Sequence, residues 1–240
     1  MNEPPKKRQR FLQWGILLGY LAVLVMLAYP GGSGSRVQTL GGQLKGVVNC
    51  KQIILSLKLY ARNADSAYPD SQKKEFHSSN QVFRELFKQG IVIDERIFGC
   101  PDSIFKPDNL NGNPPGYEMA LQPGECHWML LKMQSDLSHS KMPVVIENSL
   151  VSSWPPRWDM KMPAFSWLWH ESLTGRGRAW NGGRVIIGRN DGSVAVEKLC
   201  PDGTLDWHSK NNLGPDGKSW IDSLSPEQIA KLSYWDIEGK

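Results

Sequence analysis

An apolar stretch from Phe11 to Tyr29, FLQWGILLGYLAVLVMLAY, constrains this chain more than any other feature. It carries no ionisable side chain except its tyrosines. About twenty such residues in a helix match a hydrocarbon core of roughly 30 Å. Backbone inside lipid has to satisfy its own hydrogen bonds, so the stretch is predicted to be helical. Lys6, Lys7, Arg8 and Arg10 precede it and only Arg36 follows soon after, which places the N-terminus in the cytosol and exports the rest. Trp14 and Tyr29 stand near the two ends, where amphipathic rings meet headgroups. A cleaved signal would have a shorter apolar core and a small-residue site. Here Ala28 is followed by Tyr29 and Pro30, so an uncleaved anchor is expected. The sequence divides into a cytosolic basic tail (1–10), a transmembrane helix (11–29), a Gly/Ser-rich linker (30–42) and an exported domain (43–240).

The net charge of +4 is concentrated ahead of the anchor, so the domain itself is close to neutral. It lacks the basic footprint of a nucleic-acid binder, and membrane lipid is the partner the anchor implies. Ten tryptophans and 10% aromatics exclude a disordered stalk. Cys50 falls in an apolar helical pattern and is expected to be a small core residue. Cys100, Cys126 and Cys200 lie in loop-rich segments; one pair among them is a candidate disulfide, with the pairing open. No closely spaced Cys or His pair suggests zinc, and no metal or other cofactor is expected.

After the Pro30–Ser35 breaker, Val47, Cys50, Ile54, Leu57 and Ala61 recur at helical spacing, with Ile53 and Tyr60 widening the stripe. Lys45, Lys51, Lys58 and Arg62 tend to the other face. The pattern predicts an amphipathic helix of about twenty residues that buries one side and ends near Asn63. A second helix is expected after Ser79 or Asn80 as cap, with Val82, Phe83, Leu86 and Phe87 inward and Gly90 past its end. Ile91–Ile93 reads as a short strand, Pro107–Pro123 as loop, and His127–Leu131 and Pro143–Ile146 as buried strands. Arg184–Gly188 and Ser193–Glu197 flank Asn190-Asp-Gly192, a strong hairpin signal. Pro201-Asp-Gly203 and Pro215-Asp-Gly217 are two further turns, and Ser225-Pro-Glu227 opens a short last helix.

Candidate chemistry is sparse. His127 adjoins Cys126, but neighbours on a strand point to opposite faces, so His127 reads as structural. His77, His139, His170 and His208 read as solvated surface. Asp202, Asp206 and Asp216 lie in oxygen-rich turns, yet calcium needs six to eight converging oxygens, and turn chemistry accounts for them. No catalytic, cofactor-binding or metal-ligating residue is expected, and the chain does not read as an enzyme. The tryptophan-rich 154–180 region (Trp154, Trp158, Phe165, Trp167, Trp169, Trp180) reads as core and loop cover; the alternative is a ligand platform on a membrane-tethered binding module.

Several segments, in order, resemble the type IV pilin and type II secretion pseudopilin superfamily. These are Asn49-Cys-Lys-Gln-Ile53 through Tyr60-Ala61 to Tyr68-Pro69, then Ser79–Phe87, Asp94–Phe98 and Cys100-Pro101. Gly124–Trp128, Pro143-Val-Val145 and the Asp191–Val194 hairpin continue the likeness. The resemblance implies an α+β, pilin-like fold: an N-terminal transmembrane helix and an amphipathic helix packed on an antiparallel β-sheet. It also implies a bacterial inner-membrane protein with a periplasmic domain, and other pseudopilins or secretion-platform proteins as partners. Some major pseudopilins bind calcium in a C-terminal loop. The family's cleavage signature is Gly before Phe, with Glu five residues in. Here Arg10 precedes Phe11 and Gly15 occupies the Glu position, so prepilin peptidase is not expected to process this chain.

Overall fold

The computed structural model describes residues 33–71, 75–160, 175–180 and 182–239, together with Gly19. Apart from Gly19, the expected anchor at 11–29 lies outside the described residues, as do the basic tail, Phe165, Trp167 and Trp169. Among the described residues no helix is long and apolar enough to cross a membrane. Contacts divide the chain into two units, Met1–Leu40 and Gly41–Lys240. Helix α1, Ser33–Arg62, begins in the first; every contact discussed below belongs to the second.

The second unit is α+β. Strands β1 (Trp128–Leu131), β2 (Pro143–Glu147), β3 (Arg184–Arg189), β4 (Val194–Lys198) and β5 (Tyr234–Trp235) form one sheet in the order β4-β3-β2-β1-β5. Every pairing is antiparallel. Four of the five strands stand where the alternating and apolar runs predict them. Strand β5 does not, because two residues carry no periodicity; it is fixed by its register, Leu130 opposite Trp235 and Leu131 opposite Tyr234.

The apolar stripe of α1 packs as its spacing predicts: Cys50, Ile53, Ile54, Leu57, Tyr60 and Ala61 are all buried. The helix is longer than expected, however, since it starts at Ser33, inside the segment 30–42 taken as a linker. The glycines that lower its propensity have a packing reason, which overrides propensity. A Cβ at Gly46 would lie 2.6 Å from Ile186 Cδ1 and 3.2 Å from Cys100 Sγ. Gly188 plays the matching part on β3, where a Cβ would sit 2.4 Å from Ile54 Cδ1. Helix and sheet meet this closely because side chains are missing at both positions.

Helix α2 (Ser79–Lys88) is capped by Ser78, one residue before the expected cap, with its hydroxyl accepting the Gln81 N–H. Ser79 Oγ instead donates to the Trp235 carbonyl at 2.6 Å, and Asn80 Nδ2 donates to the Leu121 carbonyl at 3.0 Å. Ile91–Ile93 is not a strand. The Ile91 and Val92 N–H groups both donate to the Leu86 carbonyl, at 2.9 and 3.2 Å, and close the helix end instead. Gly90 has a φ of +65°, as its place beyond the helix predicts. The short helix α3 (Pro226–Lys231) carries its capping Ser225 and first-turn proline as expected.

The segment that follows β4 reaches β3 through Asn212 and joins an aromatic cluster that stacks on Tyr234 of β5. Trp154, Trp207 and Trp220 form an aromatic cluster, with ring centroids 4.5 Å apart for Trp154–Trp207 and 5.3 Å for Trp154–Trp220. Trp158 and Trp180 are buried. Of the tryptophan-rich region, every described tryptophan is therefore packing material. Arg189 of β3 is also buried and is held by Glu197 and Asn212.

Candidate functional site

One group of chemistry-bearing side chains that meets in the interior is Cys100, His127 and Glu147, only 3%, 2% and 1% exposed. Three segments bring them together. Asn49 of α1 donates to the Gly99 carbonyl at 3.0 Å and so fixes the turn that presents Cys100. The His127 N–H donates to the Phe98 carbonyl at 2.9 Å, which draws the entry to β1 against the same turn. Glu147 ends β2 directly opposite Trp128.

Glu147 Oε1 accepts the Trp180 indole N–H at 2.6 Å and lies 3.3 Å from His127 Nε2 and 3.9 Å from Cys100 Sγ. Its second oxygen accepts the Ile186 backbone N–H at 2.9 Å. On the far side of the imidazole, His127 Nδ1 faces Ser103 Oγ at 2.8 Å and Asn148 Nδ2 at 3.0 Å. The Asn148 amide is oriented by the Gly177 N–H, which donates to its Oδ1 at 2.7 Å. Only glycine fits there, since φ is +66° and a Cβ would lie 2.5 Å from the Leu150 nitrogen. One wall of the cluster reaches solvent. Cys100, with Lys45, Asn49, Arg96 and Lys106, lines a cleft of about 280 Å³.

This arrangement does not activate a nucleophile. Burial pushes the Cys100 thiol well up, and the Glu147 carboxylate beside it pushes it further. A reactive thiolate needs the opposite, a cationic neighbour and a lowered pKa. Ser103 is buried and its hydroxyl accepts the Phe105 N–H at 3.0 Å, which is turn chemistry. The cysteine that meets His127 is Cys100 and not its neighbour Cys126, whose thiol donates to the Trp128 carbonyl. All four cysteines are free thiols, so the expected disulfide among Cys100, Cys126 and Cys200 is not formed. The three aspartates weighed for calcium each serve their own turn: Asp202 accepts from Thr204, Asp206 from His208, and Asp216 from Lys218.

No sequence motif brings these three residues together, because they are separated by tens of residues along the chain. A signal existed in Glu147, a carboxylate closing an otherwise apolar strand. A buried charge there demands partners.

A second feature lies on α1. Leu44, Val48, Leu55 and Leu59 are 66%, 53%, 48% and 49% exposed. At about 100° per residue they fall within a ~60° arc. The helix therefore carries two apolar faces, one packed against the sheet and one open. Comparison with protein-family profiles, with curated proteins and with solved structures gave no match.

Proposed function

We propose that this chain is a non-enzymatic, membrane-anchored, pseudopilin-like protein, a structural or accessory component of a type II secretion or pilus-like assembly. The observation that carries the reading is α1 itself: one helix that buries a stripe on an antiparallel sheet while Leu44, Val48, Leu55 and Leu59 stay open. A row of exposed aliphatic side chains at helical spacing suits a helix from a neighbouring subunit, because such faces pack by i, i+4 ridges into grooves. The apolar Phe11–Tyr29 stretch lies upstream of the same helix in sequence and supports a role at a bilayer. The ordered sequence likeness to pilins and pseudopilins supports the type of assembly. The missing Gly–Phe–Glu signature favours an accessory place over that of a processed major subunit.

Replacing Val48 and Leu55 by aspartate in the full-length chain tests this reading. Both positions are open to solvent, so the unfolding free energy is expected to change by no more than about 0.5 kcal/mol each. Chemical crosslinking to pilin-like or secretion-platform proteins in membranes is expected to fall to background. Unchanged crosslinking, or no such partner for the unmodified chain, would remove the assembly role.

A further inference from the structure

We infer that Cys100, His127 and Glu147 form a three-ligand zinc site. Their ligand atoms all lie within 4.8 Å of one another. Zinc takes thiolate sulfur at about 2.3 Å and imidazole nitrogen or carboxylate oxygen at about 2.0–2.2 Å, which spaces tetrahedral donors roughly 3.3–3.6 Å apart. The His127 Nε2–Glu147 Oε1 pair already stands at 3.3 Å, and Cys100 Sγ, at 3.9 Å from the same oxygen, has a few tenths of an ångström to close. One sulfur, one nitrogen and one oxygen make a borderline-soft set that suits zinc over calcium or magnesium.

Several of the surrounding groups suit a bound zinc. A ligating carboxylate is held by further hydrogen bonds, and Glu147 has the Trp180 indole and the Ile186 amide. A ligating imidazole donates its other N–H to an oxygen, and Ser103 Oγ stands 2.8 Å from His127 Nδ1 to receive it. Without metal the other tautomer is the better fit: Nδ1 accepts from Asn148 and Nε2 donates to Glu147. On zinc binding the imidazole proton would move from Nε2 to Nδ1, where Ser103 Oγ accepts it and the Asn148 amide has to turn its Nδ2 aside, while the Cys100 thiol proton is released to solvent. Three protein ligands leave a fourth position for water or for a group entering through the cleft that Cys100 lines.

The site stands independently of the assembly reading and has its own test. The full-length chain is purified in mild detergent, stripped with a chelator, and titrated with cobalt(II) and then zinc. One equivalent of cobalt per chain is expected, with a thiolate-to-cobalt charge-transfer band that zinc abolishes. Cys100→Ser and His127→Gln are expected to weaken zinc binding more than 100-fold. Ser103→Ala, which removes only the acceptor for Nδ1–H, is expected to weaken it about 10–100-fold. Cys200→Ser, which changes a thiol outside the cluster, leaves it unchanged. A thermal melt of each variant separates lost ligation from lost fold, and the unmodified chain decides the matter where a variant does not fold. The absence of the charge-transfer band in the unmodified chain would overturn the proposal, as would zinc bound equally well by Cys100→Ser.

Discussion

Replacing Arg189 by methionine is expected to lower the unfolding free energy by about 3–5 kcal/mol, because it strands a buried carboxylate. Arg189 is 2% exposed, and its guanidinium donates to Asn212 Oδ1 at 3.1 and 2.8 Å and to Glu197. Glu197 is itself buried on β4. The Arg189–Glu197 pair is weak grounds for stability in itself, since two charges taken out of water repay most of their desolvation and little more. Removing one member is different, for the other keeps the cost and loses the partner. The double replacement Arg189→Met with Glu197→Leu is therefore expected to recover the part of the loss due to the stranded carboxylate, while the buried Asn212 Oδ1 still lacks its donors at a cost of about 1–3 kcal/mol. Urea unfolding of the single and double variants measures the coupling directly. If the double variant is as unstable as the sum of the two single variants, the pair is not acting as described.

The two Pro-Asp-Gly turns after β4 look alike in sequence, yet alanine is expected to be tolerated very unequally in them. Gly203 has a φ of +80°, and a Cβ there would lie 2.3 Å from the Trp158 carbonyl oxygen. That oxygen belongs to a backbone locked in place, since the Trp158 N–H donates to the Gly203 carbonyl at 2.9 Å and its indole is buried. Left-handed backbone costs a non-glycine residue about 1–2 kcal/mol, and overpacking adds about 1–3 kcal/mol. Gly203→Ala is thus expected to cost about 3 kcal/mol. Gly217 has a φ of +74°, but nothing lies within 4 Å of a Cβ at that position. Gly217→Ala is expected to cost only the backbone term, about 1 kcal/mol. Thermal unfolding of the two variants side by side checks the contrast, and equal losses would show that backbone conformation alone governs both.

How far the fold was legible follows from how local each determinant is. The buried stripe of α1, the β3–β4 hairpin and the serine–proline start of α3 each depend on a few consecutive residues, and each is where its pattern predicts. The start of α1 was hidden because Gly42 and Gly46 lower helix propensity while serving close packing; a Cβ at Gly42 would lie 2.6 Å from Asp102 Oδ2. The Ser78 cap was missed by one residue because Ser79 and Asn80 are equally good capping types but are committed to Trp235 and Leu121. Such competition is settled by residues far along the chain. The same holds for the buried cluster, whose members are drawn together by Asn49, Asn148 and Gly177, none of which signals a site from its own neighbourhood. The second apolar face of α1 was legible in principle. Leu44, Val48, Leu55 and Leu59 repeat as regularly as the buried stripe, but periodicity alone does not say which of two faces meets the sheet.

The proposed partner of the open α1 face is a helix of a neighbouring copy at the membrane. This pairing is tested most directly by placing a cysteine at Leu55 in the full-length chain, with Cys200 changed to serine, and oxidising native membranes gently. A disulfide-linked dimer with a second copy is expected from Leu55→Cys and not from a cysteine at exposed Glu227 in α3. If Leu55→Cys stays as monomeric as the Glu227→Cys control, the open stripe does not pack on a second copy and the proposed interface is wrong.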